Sequence, residues 1–194
     1  MRVIGGKVRG RPLHAPHSTA TRPTSDLARA AIFNMLVAAG ADFDQVLDLY
    51  AGSGALGIEA LSRGDGRCDF VEQDRAACDI IRRNLRELGL EERGRVLSLS
   101  VGRAIETLKG PYTLVLADPP YGDTQAPDLV VRAVGEGKLA AHGILMYEHG
   151  KRTASPESAG EFTLFRERRY GDTLIALYGH ADYAPEQEVG SERE

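Results

Sequence analysis

An α/β fold, with a mostly parallel sheet covered by helices on both faces, is predicted by three observations. Short apolar segments of strand length alternate with helical segments from Asp44 onward. A glycine turn, Gly52-Ser53-Gly54-Ala55-Leu56-Gly57, follows the first of those strands. A turn around Gly171 joins the last two strands. Strands alternating with helices bury both faces of a parallel sheet, and so read as apolar throughout. The tight last turn reverses the chain, so the final strand is expected to run antiparallel.

Residues 1–23 are rich in Gly, Pro, Arg and His and read as a short strand, Val3–Ile4, leading into an irregular basic arm. Pro23 precedes Thr24 and Ser25, either of which can cap a helix. Leu27, Ala30, Ala31, Phe33, Asn34 and Leu36 then follow at helical spacing up to Gly40. Strands are predicted over Val46–Tyr50, Cys68–Gln73, Val96–Leu99, Tyr112–Ala117 and Gly143–Glu148. The helices between them span Leu56–Arg63, Arg75–Leu88 (closed by Gly89), Ala104–Lys109 and Pro127–Val134. Phe162–Arg168 and Thr173–Tyr178 form the final hairpin. The expected organisation is an arm and first helix over 1–40, a core over 41–180 and an acidic, disordered tail over 181–194.

A chain of 194 residues accommodates one domain with a sizeable core. No apolar run is long enough to span a bilayer, and the opening MRVIGGKVRG lacks the apolar segment of a signal peptide, so a cytoplasmic location is expected. Cys68 and Cys78 read as reduced core thiols. His14 and His17 read as surface groups, and no metal is expected.

The net charge of −4 looks unfavourable for a nucleic-acid binder until it is located. Asp182, Glu186, Glu188, Glu192 and Glu194, against Arg193 alone, account for all of it. The first thirty residues are basic: Arg2, Lys7, Arg9, Arg11, Arg22 and Arg29 face only Asp26. Such asymmetry points to a partner even where the net charge does not.

The glycine turn allows a ligand to approach the backbone, with the free N–H groups of the next helix aimed at it. Glu72 lies at the end of the second strand, where a carboxylate can accept two hydrogen bonds from a ribose diol. The glycine spacing alone also fits a dinucleotide. Asp48, just before the turn, can attract an ammonium group through water or backbone amides, and no hydride-transfer site is evident, which favours S-adenosylmethionine.

The segment Leu114-Val115-Leu116-Ala117-Asp118-Pro119-Pro120-Tyr121 ends an apolar strand at its carboxyl edge, where open α/β sheets bind ligands. The prolines fix the backbone. An exocyclic amine on guanine or adenine is a poor nucleophile because its lone pair is delocalised into the ring. The Asp118 carboxylate and the Pro119 carbonyl are two acceptors that can draw that nitrogen toward sp³ geometry. Tyr121 offers a face on which the base can stack. The target base must be unpaired or flipped out.

On these residues the chain resembles the bacterial 16S ribosomal RNA guanine-N2 methyltransferases of the small subunit. The resemblance runs from Met1 to about Tyr178. It is carried by Met1-Arg2-Val3-Ile4-Gly5-Gly6-Lys7, with Arg9-Gly10-Arg11 and Leu13, and by Thr21-Arg22-Pro23-Thr24-Ser25-Asp26, with Phe33-Asn34. Leu47 to Gly57, Glu59 to Gly64, Asp118-Pro119-Pro120-Tyr121 and Arg169-Tyr170-Gly171-Asp172-Thr173 complete it. The resemblance implies a Rossmann-like, seven-stranded methyltransferase sheet and methyl transfer from S-adenosylmethionine to a guanine N2 in 16S rRNA. The implied substrate is a small-subunit assembly intermediate, and the protein is expected to act as a monomer. It also implies that Asp118, Pro119, Pro120 and Tyr121 hold the base. Asp48, Tyr50, Ala51, Gly52, Ser53, Gly54, Glu72 and Gln73 are the expected cofactor residues. The family usually carries an acid where Gly102-Arg103-Ala104 stands; Arg103 cannot accept a hydrogen bond, so backbone groups of Arg103 or Ala104 are expected to hold the adenine.

Arg2, Lys7, Arg9, Arg11 and Arg22 of the arm, with Arg169 and Tyr170 of the hairpin, are the candidate RNA contacts. Arg22 alternatively binds the cofactor carboxylate. Three other readings stay open: an adenine-N6 methyltransferase on RNA or DNA, a non-catalytic RNA-binding or ribosome-assembly protein of the same fold, and, more distantly, a nicotinamide oxidoreductase.

Overall fold

The computed structural model describes residues 1–15, 26–120, 122–151 and 154–182. The helix-capping segment Pro23-Thr24-Ser25, Arg22, His17, Tyr121 and the tail beyond Asp182 lie outside the described residues.

The expected alternation is present. Its elements are α1 (Asp26–Ala38), β1 (Gln45–Asp48), α2 (Ala55–Arg63), β2 (Arg67–Glu72), α3 (Arg75–Leu88), β3 (Gly94–Ser98), α4 (Val101–Thr107), β4 (Tyr112–Ala117), α5 (Ala126–Gly135), β5 (Leu139–Gly150), β6 (Ser158–Ala159), β7 (Phe162–Tyr170) and β8 (Thr173–His180). The order across the sheet is β3-β2-β1-β4-β5-β8-β7-β6. The first five of these pair in parallel, and β8 runs antiparallel to both β5 and β7. The sheet has eight strands where seven are expected from the resemblance. The extra one is β6, a two-residue strand on the outer edge of β7. Two residues carry no readable alternation, so β6 is invisible to a pattern search.

Strand residues alternate between two cores. Val46, Phe70, Leu114, Leu116, Ile144 and Met146 pack under α1, α2 and α3. Leu47, Leu49, Val71, Val115, Ala117 and Leu145 pack under α4 and α5. Both faces are therefore covered, which is why β4 reads as continuously apolar.

Gly57 fixes the distance between α2 and β2. A Cβ there would stand 2.3 Å from Phe70 Cε1 and 2.7 Å from Cys68 Sγ. α3 begins where Asp74 accepts from the Ala77 N–H at 2.9 Å and ends at Gly89, whose φ is +69°. α4 begins earlier than its apolar pattern suggests, because the Ser100 hydroxyl caps it by accepting from the Arg103 N–H.

The described part of the N-terminal segment, residues 1–15, is turns and bends as expected, with an isolated bridge between Arg2 and Pro12 in place of the strand expected at Val3–Ile4. It folds back on itself, with Val3 N–H donating to Arg11 O at 3.0 Å and Gly10 N–H to Val3 O at 2.9 Å. Val3 and Leu13 enter the core under α1 to α3. The buried Glu59 carboxylate on α2 accepts from Ile4 N–H at 2.8 Å and Gly5 N–H at 2.7 Å, and it also pairs with Arg63 at 2.9 Å. A carboxylate that satisfies backbone N–H groups and a guanidinium together is well compensated for its burial. The glycines let the segment lie this close, since a Cβ at Gly6 would stand 2.0 Å from Ser62 O.

Candidate active site

The strand order reverses between β1 and β4, and the loops that leave their carboxyl ends part there. A cavity of about 490 Å³ opens at this point. It is lined by the glycine loop from Leu49 to Ser53, by Glu72 and Gln73 after β2, and by Ser100 to Gly102 after β3. Asp118, Pro119 and Pro120 after β4, and Glu148 of β5, form the other side. Met1 and Ala15, the two described ends of the N-terminal segment, also reach the wall.

The glycine loop holds its shape through its own backbone. Gly52 and Gly54 have φ values of +54° and +79°, a region costly for any residue with a Cβ. Glu72 braces it: one carboxylate oxygen accepts from Gly52 N–H at 2.9 Å, the other from Asp74 N–H at 2.7 Å. Each oxygen keeps a further lone pair. Asn84 ties the loop to the N-terminal segment. Its amide donates to Ser53 O at 3.0 Å and to His14 O at 3.0 Å, while its oxygen accepts from His14 N–H at 2.8 Å.

Asp48 lies beneath the loop, 1% exposed, and is not among the lining residues. One oxygen accepts from Gly57 N–H at 3.0 Å, and the other has no hydrogen-bond partner among the described residues. Burial pushes its carboxyl up to about 7 against the opposing effect of the Gly57 bond, and the charges of Asp118 and Glu72 add to the rise. Asp48 therefore shapes the turn from below.

Of the other residues singled out in the sequence, Tyr50, Ala51, Gly52, Ser53, Glu72, Gln73, Asp118, Pro119 and Pro120 line the cavity. Gly54 stands behind the wall as the residue that starts α2. Arg103 turns outward on the first turn of α4 and pairs with Glu106 at 3.0 Å, while Ala104 is fully buried below. The wall at this corner is Ser100, Val101 and Gly102 instead. The signal for that shift was the serine that starts α4. Asp123, Gln125, Leu129 and Glu148 also line the cavity and were not anticipated. For Glu148 the signal was an acid inside the apolar run of β5, Ile144-Leu145-Met146-Tyr147.

Three of the arm's described cations, Arg2, Lys7 and Arg11, are engaged within the fold. Arg2 pairs with Asp26 at 3.3 Å, Lys7 pairs with Asp65, and Arg11 donates to Glu87 O at 2.6 Å. Arg9 is exposed. The β7–β8 turn stands at the carboxyl edge, because Thr173 pairs with Gly150, two residues beyond Glu148. It presents Arg169, whose Nε donates to Gly171 O at 2.8 Å, and the half-buried Tyr170. Among the described residues no group of His, Cys, Asp and Glu could hold a metal, and no helix is long and apolar enough to cross a membrane.

The sheet order, the crossing loops and the cavity at the reversal define a Rossmann-like α/β protein of the methyltransferase type. Residues 1–179 match the family described as conserved hypothetical protein 95. Over 178 residues the chain is 33% identical to the ribosomal RNA small subunit methyltransferase D of Escherichia coli, covering 92% of this chain and 89% of that one. It is 37% identical over 183 residues to YlbH of Bacillus subtilis, named as a candidate rRNA methyltransferase, covering 92% of this chain and 98% of that one. The solved structure of Escherichia coli yhhF superposes with a TM-score of 0.81 at 33% identity, covering 93% of this chain and 97% of that one. The chain belongs to this family of bacterial methyltransferases.

Proposed function

We propose that this protein transfers a methyl group from S-adenosylmethionine to the exocyclic N2 of a guanine in 16S rRNA, within a small-subunit assembly intermediate. The observation that carries the reading is the convergence of Asp118, Pro119 and Pro120 with the glycine loop and Glu72 on one cavity. The names of the relatives, which are rRNA methyltransferases, support the substrate class.

The residues present fit the cofactor. The Glu72 oxygens retain lone pairs for a ribose diol. Val71, Leu99, Val101 and Leu129 supply apolar walls for a purine ring. The backbone between Ala51 and Ser53 is open to close approach. When bound, the cofactor supplies an electrophilic methyl on a sulfonium. Asp118 and the Pro119 carbonyl accept the amine hydrogens and aim the nitrogen lone pair at that carbon. Held by Glu72 and the glycine loop, the cofactor would supply the methyl carbon and would leave as a neutral thioether, so the protein has one proton of the amine to handle. The nitrogen then gives up one proton to Asp118 and onward to water. Catalysis on this account is positioning plus stabilisation of the positive charge growing on nitrogen.

Arg9, Arg169 and Tyr170 on the surface are the proposed contacts to flanking RNA, with Arg2, Lys7 and Arg11 contributing through exchange of their internal partners. Affinity should then fall steeply with salt. The decisive test is incubation with labelled S-adenosylmethionine and small subunits from cells lacking the enzyme, followed by nucleoside analysis. Labelled N2-methylguanosine supports the proposal. N6-methyladenosine redirects it to the other amine, and no transfer to any RNA overturns it.

A further inference from the structure

β4 and β5 run side by side, with Ala117 opposite Tyr147 as the last registered pair. The next residues on each strand, Asp118 and Glu148, therefore come together at the edge. Both continue the face carrying Leu114, Leu116, Ile144 and Met146. Glu148 is 5% exposed, lines the cavity, and has an oxygen, Oε2, with no hydrogen-bond partner among the described residues. A buried polar atom left unpaired carries a cost of its own, and a ligand that pairs it removes that cost. Most of the cofactor residues proposed above lie at or just after the carboxyl ends of β1, β2 and β3, with Val101 on α4 and Leu129 on α5. Glu148 lies on the opposite side of Asp118 and Pro119, beyond the place proposed for the amine.

Resting on the guanine-N2 reading, we propose that Glu148 reads the base edge beside the methylated amine and sets the preference for guanine over adenine. Next to the N2 amine, guanine presents the N1–H donor and then the O6 acceptor. Next to the N6 amine, adenine presents the N1 acceptor and then a C–H. A neutral carboxyl offers one acceptor and one donor, matching N1–H and O6 together. Opposite adenine, only its O–H finds a partner. Burial and the neighbouring Asp118 charge raise the Glu148 carboxyl to about 8, which favours this neutral form.

The experiment first maps the methylated position with the wild-type enzyme. Small subunits are then reconstituted with guanosine, 2-aminopurine or adenosine at that position, and kcat/KM is measured for each. 2-Aminopurine keeps the amine and lacks both N1–H and O6. Wild type should favour guanosine over 2-aminopurine by about 10–100-fold, the effect of one unpaired buried group. Glu148→Ala should bring that ratio to within about threefold of unity by losing rate on guanosine, with S-adenosylhomocysteine affinity changed less than about threefold. Glu148→Met carries the same expectation if the alanine variant does not fold. Glu148→Gln, with one donor group and one acceptor, should keep the preference. An unchanged ratio in Glu148→Ala or Glu148→Met, or a parallel loss of S-adenosylhomocysteine binding, overturns the role of Glu148 while leaving the methylguanosine reading intact. Methyladenosine as the wild-type product overturns both.

Discussion

Glu148 and Asp118 are neighbours across β4 and β5, and burial first, then the Asp118 carboxylate, disfavour ionisation of Glu148. The same charge, with that of Glu72, also raises Asp48 below the glycine loop. Four adjacent parallel strands thus each place a carboxyl at or beside the carboxyl edge of the sheet: Glu72 and Asp48 end β2 and β1, Asp118 follows β4, and Glu148 stands two residues before the end of β5. Such an edge concentrates hydrogen-bond acceptors and keeps two of its members poorly ionised near neutrality. Both consequences can be measured.

Stability should fall as pH rises from about 4 to about 8. The folded carboxyls of Asp48 and Glu148 sit at about 7 and about 8, above their ordinary values of 3.8 and 4.5. In that window the unfolded chain has released protons that the folded chain still holds, so each step up in pH favours unfolding; above the window the curve levels. Asp48→Asn should flatten the slope by an amount on the order of a few kcal/mol. Urea unfolding at pH 5, 6, 7, 8 and 9 reads this directly, and a slope unchanged by the substitution would show that Asp48 ionises normally.

Asp118→Ala should lower methyl transfer by at least about 100-fold, the scale for removing a preorganised polar group aimed at the reacting atoms. Binding of S-adenosylhomocysteine, followed by calorimetry, should change by less than about threefold. Equal loss of both would assign Asp118 to the cofactor or to the fold.

Glu59→Ala should destabilise the protein by about 3–5 kcal/mol. It leaves Arg63 without its carboxylate and two backbone N–H groups without acceptors. The N-terminal segment should then open, and trypsin should cut after Lys7 and Arg9 well before the core; Arg11 is followed by Pro12, which blocks cleavage there. Because Asn84 links this segment to the glycine loop, S-adenosylhomocysteine affinity should weaken as well.

Gly57→Ala should cost about 1–3 kcal/mol or more, because the new methyl meets Phe70 and Cys68 inside van der Waals distance. A denaturant midpoint equal to wild type would mean that α2 can move away from β2 freely.

Much of this protein is written locally. The glycine loop, the caps of α3 and the turn around Gly171 depend on residues within a few positions of one another, so their chemistry is readable along the chain. Asp118, Pro119 and Pro120 could be placed at a carboxyl edge because an apolar run leads straight into them. α4 starts three residues before its apolar pattern does, because the Ser100 hydroxyl caps it, and the cavity wall at that corner is Ser100–Gly102 and not Arg103 and Ala104.

Contacts between distant segments were decided only by the tertiary structure. Nothing near Ile4 or Gly5 announces that a carboxylate more than fifty residues later will take their N–H groups. Nothing in β5 announces that strand order and register will set Glu148 beside Asp118. A sequence fixes which groups can hydrogen-bond and which stretches must be buried, because those properties belong to single residues and their neighbours. Which of the groups are buried and which of them meet is set by packing the whole sheet, and burial first, with the Asp118 charge after it, gives Glu148 and Asp48 their unusual protons.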